Sequence, residues 1–567
     1  MAKKGLGNRL TQYGDEEFAL YLRRSFASSM GFSREALGKP IIGILNTYSE
    51  LNNCHRHLPE LVQAVKRGVW QAGGLPLEFP TISLGEVFLS PTSMMYRNLM
   101  SMDVETMIKA QPLDGVVLVG GCDKTLPAML MGAASADLPC IVLAAGPMLA
   151  NQYQGERVGA CTDCRRFWGM FRRGEIDDDE IGVIESRLAP TAGTCGVMGT
   201  ASTMACAIEA LGMMVPGGAA APAVYAERLR IAEETGVLAM GLVDAGLSPS
   251  KIMTTLAFEN SLRILSAIGG STNAIIHLTA VAGRLGINLE LEHLDRISSE
   301  TPVLVDLKPT GEGYMEDFFQ DGGVPALMQA LGDRLDQGCL TVTRRSIREN
   351  LETVRPNRGV RKIIHSIQDP VYSSGALAVL RGNLAPDGAI LKCSAATPSL
   401  LNGRGRAVVF SSLGDLAERV DDPELDVRPE DFLVLQNAGP VGAPGMPEAG
   451  YLPIPKKLKG VKDMVRISDA RMSGTAFGTI VLHVSPESAV GGLLGLVRSG
   501  DLIELSVDKR SLNLLVEDDE LAARKASQEP RSPQPKRGYE RLYHRSIQQA
   551  HLGADFDFLR KEPEEEP

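Results

Sequence analysis

The sequence predicts an α/β fold in which an N-terminal parallel-sheet domain is followed by a smaller, β-rich C-terminal domain. Three observations predict it. In the first 220 residues, short apolar runs of strand type alternate with segments of helical period, which is the pattern of a parallel sheet with its helices. Residues 227–331 are mostly helical in pattern. Residues 375–516 change to short β-rich runs separated by Gly/Pro turns.

The elements of the N-terminal domain are predicted in order from these patterns. Strands are expected at four apolar runs: residues 40–45 (PIIGIL), 75–82, 115–120 (GVVLVG) and 140–144. Helices are expected at three places: residues 59–72, 126–136 and 201–213. A proline stands at the start of the first of these helices, where its missing N–H costs nothing.

The domain limits follow from the change of pattern. The helical period weakens between residues 333 and 375, so the α/β domain is predicted to span residues 1–370. The β-rich domain, with runs such as AVVF, DFLVLQ, DMVRIS, TIVLHV and DLIELSV, is predicted to span residues 371–525. Residues 526–567 are polar and Pro-rich and are predicted to be a linker and a C-terminal tail.

Composition narrows the class of protein. With 567 residues, 44% of them hydrophobic and 22% charged, the chain can bury more than one core. The net charge of −11, without a basic stripe, argues against nucleic acid or an anionic membrane as partner. No apolar run has the length of a membrane span, and residues 1–30 lack the apolar core of a signal peptide. The few cysteines, odd in number, argue against a disulfide framework, so a reducing, cytoplasmic location is expected.

Three cysteines lie where a ligand site is expected. Cys54 and Cys122 each follow a predicted strand and precede a helix, and Cys195 stands in a small-residue loop that opens into a helix. Ligands of open α/β sheets bind at the carboxyl ends of the strands. A lone cysteine would be interpreted as a small buried residue, but three in matching places are candidate ligands of an iron–sulfur cluster. Since such clusters usually take four cysteines, three would leave one iron open as a Lewis acid.

Acidic residues near these loops are candidates for a divalent-cation site. Asp123 directly follows Cys122, Glu86 follows a predicted strand, and Glu448 lies in the loop GAPGMPEAG. Carboxylate oxygens at low number, with waters retained, suit Mg²⁺. Glu86 or Glu448 alone would be interpreted as a solvated surface residue.

Ser473 follows a predicted strand and turns on Gly474. A serine on such a turn projects its hydroxyl and can act as a base or nucleophile when its pKa is lowered. In isolation, this serine would be an ordinary turn residue.

Cys161 and Cys164 have the C-x-x-C spacing of thiol–disulfide exchange or of half a zinc site. No second pair lies nearby, so both are interpreted as structural, with an auxiliary redox role as the alternative.

Five long motifs, in order, make the sequence similar to the dihydroxy-acid and sugar-acid dehydratase family, which includes 6-phosphogluconate dehydratase. They are GGCDKTLPAMLMGAASADLPCIVLAAGPM, AGTCGVMGTASTMACAIEALGM, AFENSLRILSAIGGSTNAIIHL, GPVGAPGMPE and SDARMSGTAFGTIVLHVSPESAVGG. The resemblance runs from about residue 38 to about residue 515. The form SDARMSGTAFGT resembles the sugar-acid branch, as in L-arabinonate dehydratases, more than the TDGRFSG form of the branched-chain amino-acid enzymes.

The resemblance implies a hydro-lyase that converts a 2,3-dihydroxy carboxylic acid, such as the sugar acid L-arabinonate, into a 2-keto-3-deoxy acid. It implies a β-barrel-like C-terminal domain, with the active site between the domains and near the interface of a homodimer or a dimer of dimers. The small-molecule acid would be the partner.

The resemblance also implies the cofactors and the residues that hold them. A [2Fe–2S] cluster, with [4Fe–4S] as the alternative, would be held by Cys54, Cys122 and Cys195. Mg²⁺ would be held by Glu86, Asp123, Glu448 and a carbamylated Lys124. Ser473 would be the catalytic base.

The sequence departs from the family pattern in places, and the substrate stays open. NNCHRH stands in place of the more familiar PCN, so His55 occupies a position where Asn is common, and GTCGVMG replaces forms such as GTCNTMG. Both changes could alter the pocket wall. The alternative substrate is 2,3-dihydroxyisovalerate, as in valine and isoleucine synthesis, or both substrate kinds. Alternatives of other classes are a thiol-redox protein that uses Cys161 and Cys164, and a non-catalytic binding paralogue.

Overall fold

The computed structural model of the chain describes residues 4–10, 13–354, 362–448, 452–527 and 535–562. The strands are β1 Ile41–Asn46, β2 Leu75–Pro80, β3 Gly115–Gly120, β4 Cys140–Ala144, β5 Asn151–Tyr153, β6 Glu156–Val158, β7 Pro302–Val303, β8 Tyr372–Gly375, β9 Leu377–Leu380, β10 Gly388–Lys392, β11 Asn402–Phe410, β12 Phe432–Leu435, β13 Arg466–Ser468, β14 Ile480–Ser485, β15 Leu502–Ser506 and β16 Ser511–Leu514.

The helices alternate with the strands in the N-terminal half and are sparse in the C-terminal half. They are α1 Glu16–Ser28, α2 Leu58–Gln71, α3 Arg97–Ala110, α4 Thr125–Ala136, α5 Thr162–Arg172, α6 Asp178–Leu188, α7 Thr200–Ala210, α8 Ala226–Ala245, α9 Pro249–Ile252, α10 Thr255–Ala267, α11 Asn273–Arg284, α12 Leu291–Glu300, α13 Met315–Gln320, α14 Gly323–Leu331, α15 Ile347–Leu351, α16 Leu413–Arg419, α17 Asp518–Ala526 and α18 Gly538–Ser546.

The predicted parallel sheet is confirmed. Its four strands run in the order β2-β1-β3-β4, and every residue of β1, β3 and β4 is buried. Burial on both faces explains why these strands were recognisable as continuous apolar runs. Strands β1 and β3 are direct neighbours, paired from Ile42 with Gly115 to Asn46 with Val119. The loops that follow these two strands therefore lie side by side at the carboxyl edge of the sheet.

The predicted helical region is also confirmed, as α8 to α14. Helix α11 is buried along its whole length, so it runs through the core and not over the surface. Among the helices of the described ranges, none has both the length and the apolar character that a bilayer span requires.

The C-terminal domain is a nearly closed barrel, as the family resemblance implied. Its sheet has eight strands in the order β16-β15-β11-β12-β13-β14-β10-β9. Arg381, directly after β9, links the two edges: its N–H donates to Arg510 O at 2.9 Å and its carbonyl accepts from Leu512 N at 2.7 Å. Apolar side chains such as Val434 and Ile467 form a buried core within this domain.

The segment after the barrel corrects one expectation. Residues 526–567 were predicted to be a linker and tail, but Tyr543 and Phe556 are buried and pack with Met95 of the α/β domain. The two aromatic residues are far apart in a polar segment, so they do not repeat at the period of a helix or a strand. The sequence therefore did not indicate that they are buried. Residues 528–534 and 563–567 lie outside the described ranges, and the other domain limits stay predictions.

An ion pair without solvent exposure ties this segment to the α/β domain. Arg284 Nε lies 2.6 Å from Asp555 Oδ2, and Nη2 lies 3.0 Å from Oδ1. We expect Arg284→Met to lower the free energy of unfolding by about 3–5 kcal/mol, because it leaves a buried carboxylate without its cation. The midpoint of urea-induced unfolding, followed by circular dichroism, measures this change.

The matched control is Arg404→Met, which breaks an exposed pair with Glu504 at 2.7 Å. Exposed pairs contribute less than about 1 kcal/mol, so this variant should unfold close to the wild type. Equal destabilisation by the two substitutions would contradict the assignment of a buried, mutually dependent pair.

Candidate active site

Cys54 and Cys122 lie in neighbouring loops at the carboxyl edge of the parallel sheet. Cys54 stands between β1 and α2, Cys122 stands between β3 and α4, and both are buried. Their thiols are hydrogen-bonded to each other. Cys122 has a φ of +62°, a left-handed conformation that costs a non-glycine residue roughly 1–3 kcal/mol and is concentrated at functional sites.

His55 holds these two loops together. Gly121 donates its backbone N–H to His55 Nε2 at 2.9 Å, which assigns the ring proton to Nδ1, 2.8 Å from Thr47 O. Burial lowers the pKa of His55 to about 4, so the ring is neutral at neutral pH. The residue next to Cys54 thus fixes the Cys54 loop against the Cys122 loop. His55, the residue that departs from the family pattern, has no exposed surface. It therefore supports the two loops and does not line the pocket wall.

Cys195 reaches the same place from the loop before α7. Its Sγ lies 3.0 Å from Sγ of Cys161, the residue that precedes α5, and both side chains are half-buried. The charges of Cys54 and Asp123 also contribute to raising the pKa of Cys195, so both groups lie within electrostatic range of its thiol.

Cys161 was interpreted as structural, and its place in the thiol cluster corrects that interpretation. Cys164 lies apart, packed against an apolar cluster that contains Val158 and Phe167. In the folded chain Cys161 is therefore paired with Cys195 and not with Cys164. The C-x-x-C spacing did not indicate this, because no local sequence pattern links Cys161 to a thiol 34 residues away.

Two thiols of this cluster have a raised pKa, whereas the hydrogen bond with Cys195 lowers the pKa of Cys161. The hydrogen bond with Cys54, together with burial, raises the pKa of Cys122 well above its usual range. The hydrogen bond with Cys161, together with burial, does the same for the pKa of Cys195. Metal binding at these sulfurs would release protons, since the thiolate is the ligand.

Three carboxylates surround Nζ of Lys124, a fully buried side chain at the start of α4. Glu86 Oε2 lies 3.1 Å away, Glu448 Oε1 lies 3.6 Å away, and Asp123 is in direct contact. Burial and the charge of Arg471 oppose the ammonium, but the three carboxylates outweigh them and raise the pKa of Lys124. Glu448 comes from the barrel domain, so this cluster spans the two domains.

Arg471 is a second buried cation at this cluster, and the sequence did not single it out. Its Nη1 donates to Glu448 Oε1 at 2.8 Å, and its Nη2 lies 3.3 Å from Glu86 Oε1. Although burial opposes it, the charges of Lys124 and Arg471 hold the pKa of Glu86 well below its usual range. Arg471 lies in the motif SDARMSG, two residues before Ser473, which is the signal that could have found it.

The chemistry of this donor set fits the predicted cofactors. Among the described residues, no three His, Cys, Asp or Glu side chains are already close enough to hold a metal ion. At the carboxylates the reason is that Lys124 Nζ lies between the oxygens. Soft thiols and hard carboxylates nevertheless meet here, with Cys122 Sγ 3.4 Å from Asp123 Oδ1. A divalent cation fits among the oxygens once the lysine loses its positive charge.

Ser473 lies on the turn after β13 and packs against the α/β domain. Its Oγ is 2.9 Å from Thr475 Oγ1, which also accepts a hydrogen bond from Arg165 Nε of α5 at 3.4 Å. Glycine is required at position 474, because a Cβ there would lie 2.5 Å from Ser271 Cβ. The same Cβ would lie 3.0 Å from Thr200 N, so the serine turn also packs against the start of α7, the helix that follows Cys195.

A small cavity of about 20 Å³ beside Ser473 contains a buried lysine. Lys392, the last residue of β10, lines it, and within the described part of the chain its Nζ has no hydrogen-bond partner. No acidic residue lines this cavity. Burial lowers the pKa of Lys392 to about 7.

Lys392→Met is expected to stabilise the protein at neutral pH and to lose this advantage in alkaline solution. The unfolded chain binds the lysine proton at the ordinary pKa of 10.5, whereas the folded protein binds it only near pH 7. Protonation therefore opposes folding as the pH falls through this window. The gain in the free energy of unfolding from Lys392→Met is largest at and below pH 7, where it is at most about 5 kcal/mol. It disappears above about pH 10.5.

Urea-induced unfolding at about pH 7 and about pH 10 measures the difference between the two proteins. The control is Lys509→Met, an exposed lysine of the same domain, which should show no such pH dependence. A gain for Lys392→Met that is the same at both pH values would show that the lysine is not held in a depressed-pKa environment.

The structure brings all the predicted site residues to one crevice between the two domains. They are Cys54, Glu86, Cys122, Asp123, Lys124, Cys195, Glu448 and Ser473. Their roles as cluster ligands, Mg²⁺ ligands and base stay predictions at this point.

Two family profiles match the chain. The dihydroxy-acid/6-phosphogluconate dehydratase N-terminal profile matches residues 39–350, and the C-terminal profile matches residues 362–554. The L-arabinonate dehydratase of Rhizobium leguminosarum bv. trifolii is 47% identical over 554 residues, which cover 97% of this chain and 95% of the relative. The 6-deoxy-6-sulfo-D-gluconate dehydratase of Pseudomonas putida is 45% identical with the same coverage. The dihydroxy-acid dehydratase of Moorella thermoacetica is 38% identical over 541 residues, covering 94% of this chain and 97% of the relative.

Proposed function

The chain belongs to the dihydroxy-acid/6-phosphogluconate dehydratase family and is a hydro-lyase, and on that premise we propose that its substrate is a 2,3-dihydroxy sugar acid such as L-arabinonate. The product is the 2-keto-3-deoxy acid. The observation that carries this proposal is the junction of a thiol cluster, a carboxylate cluster and a serine turn in one crevice between the domains.

The proposed cofactors follow from the donor atoms of the crevice. A [2Fe–2S] cluster, with [4Fe–4S] as the alternative, is held by Cys54, Cys122 and Cys195, and reducing cytoplasmic conditions suit these thiols. Mg²⁺ is held by the oxygens of the ligands implied by the family: Glu86, Asp123, Glu448 and carbamylated Lys124. In carbamylation, carbon dioxide adds to the lysine nitrogen and a proton leaves, which converts a cation into an oxygen ligand.

When bound, these groups supply a Lewis acid for the departing hydroxyl and positive charge that acidifies the proton at C2 of the substrate. The chain itself supplies the base: Ser473 Oγ, as the alkoxide formed after its own proton passes to solvent, takes the C2 proton, hydroxide leaves C3, and the enol becomes the 2-keto acid. Thr475 Oγ1 lies 2.9 Å from Ser473 Oγ and accepts from Arg165 Nε, so a hydroxyl and a guanidinium group lie beside the base. Arg471 pairs with Glu86 and Glu448 and holds both carboxylates in place.

The names of the relatives support a sugar acid over a branched-chain dihydroxy acid. Relatives named for sugar acids are 45% and 47% identical to this chain, whereas the dihydroxy-acid dehydratase of Moorella thermoacetica is 38% identical. Dehydration of 2,3-dihydroxyisovalerate is the second candidate, because the same family includes that activity.

A substrate panel tests the proposal. Protein purified without oxygen and supplied with iron, sulfide and Mg²⁺ is assayed with L-arabinonate, other aldonates, 6-deoxy-6-sulfo-D-gluconate and 2,3-dihydroxyisovalerate, and 2-keto acid formation is measured. We expect the highest kcat/KM for an aldonate. A preference for 2,3-dihydroxyisovalerate would support the second candidate, and an active but colourless, iron-free protein would support thiol-redox chemistry. Mössbauer and EPR spectra of the same sample distinguish the two cluster types.

Exposed apolar side chains beside the site support a homodimer or a dimer of dimers. Leu51, Val87 and Phe88 are 75%, 79% and 65% exposed, and they flank Cys54 and Glu86 in the sequence. Clusters of this kind mark protein–protein surfaces. We propose that a second copy of the chain covers them. Sedimentation velocity measures the assembly, and a monomer at assay concentration would contradict it.

A further inference from the structure

Cys161 is a fourth thiol at the proposed cluster site, and the proposed reaction does not use it. Its Sγ lies 3.0 Å from Sγ of Cys195. We propose that these two thiols form a reversible disulfide when the protein loses its cluster, and that this bond preserves Cys195 for reassembly. The inference rests on the proposed function only in that Cys195 is there a cluster ligand.

One segment of the α/β domain fixes the loop of Cys195. Met198 donates its backbone N–H to Lys308 O, and Met315 donates its N–H to Gly196 O, each at 2.9 Å. The backbone on the carboxyl side of Cys195 is thereby held at two points.

The same segment fixes Cys161. Asp163, buried in the first turn of α5, accepts from Gly159 N at 2.9 Å, from Lys308 Nζ at 3.0 Å and from the Tyr314 hydroxyl at 2.8 Å. Because Lys308 and its neighbours anchor both cysteine loops, the two thiols face each other in the folded chain without any rearrangement.

Solvent access distinguishes this pair from the other thiols of the site. Cys161 and Cys195 are half-buried, whereas Cys54 and Cys122 are buried. Cys164 is also half-buried, but it packs against the apolar cluster that contains Val158 and Phe167. An oxidant that enters the crevice therefore meets Cys161 and Cys195 first.

Hydrogen peroxide is an oxidant that completes the reaction. The thiolate of one member of the pair attacks one peroxide oxygen, which gives a sulfenic acid and, after protonation, water. The sulfur of the other member, 3.0 Å away, then attacks the sulfenic sulfur, the S–O bond breaks, and a second water leaves. Two thiols and one peroxide thus yield one disulfide and two waters, with two electrons passing from sulfur to oxygen. The sulfurs approach by only about 1 Å to reach a bond length of about 2.05 Å.

Loss of Cys161 removes this protection. A sulfenic acid without a neighbouring thiol is oxidised further to sulfinic and sulfonic acids, and thiol reductants do not reverse those products. The disulfide, in contrast, returns to two thiols on exchange with a dithiol.

The experiment follows the fate of Cys195 in the full-length protein. Protein reconstituted with iron and sulfide is treated with hydrogen peroxide until its visible absorption is lost, its free thiols are alkylated, and unreduced peptides are mapped by mass spectrometry. We expect the peptides of Cys161 and Cys195 to be linked. Dithiothreitol followed by iron and sulfide should then restore most of the original absorption.

Two variants make the result specific. In Cys161→Ser, Cys195 should be recovered as sulfinic or sulfonic acid, with loss of the restored absorption; Cys161→Ala serves as a second variant, and circular dichroism verifies the fold of both. Cys164→Ser should match the wild type. Since trypsin leaves Cys161 and Cys164 on one peptide, residues 158–165, this control also assigns the linked sulfur of that peptide. Fragmentation of the other peptide, residues 188–228, distinguishes Cys195 from Cys206.

The outcomes separate this inference from the proposed function. Cys195 that stays free to alkylate, or that links to Cys54 or Cys122, would overturn the inference alone. A protein that takes up no cluster, yet links Cys161 to Cys195 under peroxide, would overturn the proposed function and support the thiol pair.

Discussion

Ser473→Ala is expected to lower the rate of dehydration by about 10²–10⁴-fold, the contribution of a well-placed general base. The substitution removes the oxygen that Thr475 orients on the turn after β13. It touches none of the proposed metal ligands, so the visible absorption and the bound Mg²⁺ should be unchanged. The measurement is the initial rate of 2-keto acid formation with L-arabinonate, alongside the metal content of each preparation.

The control for this variant is Ser488→Ala. Ser488 is a buried serine of the barrel domain that is neither a proposed cofactor ligand nor part of the Ser473 turn, so its loss should leave the rate near that of the wild type. A near-normal rate for Ser473→Ala, with both cofactors retained, would remove Ser473 from the reaction.

Cys122→Ser is expected to abolish both the visible absorption and the activity. Iron–sulfur clusters require thiolate ligands, and no other cysteine side chain lies in the loop between β3 and α4. The serine keeps the size of the side chain, so the loss reports the ligand and not the packing. Iron and sulfide determinations, together with the absorption spectrum after reconstitution, measure the effect.

The matched control is Cys164→Ser, which removes a thiol near the crevice that packs against apolar side chains. It should keep the wild-type spectrum. An unchanged spectrum in Cys122→Ser would show that the cluster is held elsewhere.

The sheet was predictable because its information is local. Strands buried on both faces are continuous apolar runs, and the thiols of Cys54 and Cys122 follow two of those runs directly. Parallel pairing then places their loops side by side. The position of these two thiols therefore follows from the strand pattern, because ligands of open α/β sheets bind at the carboxyl ends of the strands.

The remaining site residues depend on contacts between distant parts of the chain. Arg471 acquires its partner Glu86 from 385 residues away, and Cys161 acquires Cys195 from another loop. Lys392 ends an apolar run, where the sequence shows an ordinary polar strand end; only the fold closes a cavity around its amine. Periodicity carries no information about such contacts, which is why motifs or a structure are needed to find them.

The packing of the C-terminal segment onto the α/β domain has a consequence for biosynthesis. Arg97, fully buried, donates to Ala554 O at 2.7 Å, and Arg284 pairs with Asp555, so both guanidinium groups receive partners from residues translated after the barrel domain. Until residues 554 and 555 leave the ribosome, the α/β domain has two cationic side chains that it cannot bury without cost. The α/β domain thus reaches its final packing only after the barrel domain has been synthesised, and a nascent chain that stops short of residue 554 would expose this defect to the proteases that remove unfinished proteins.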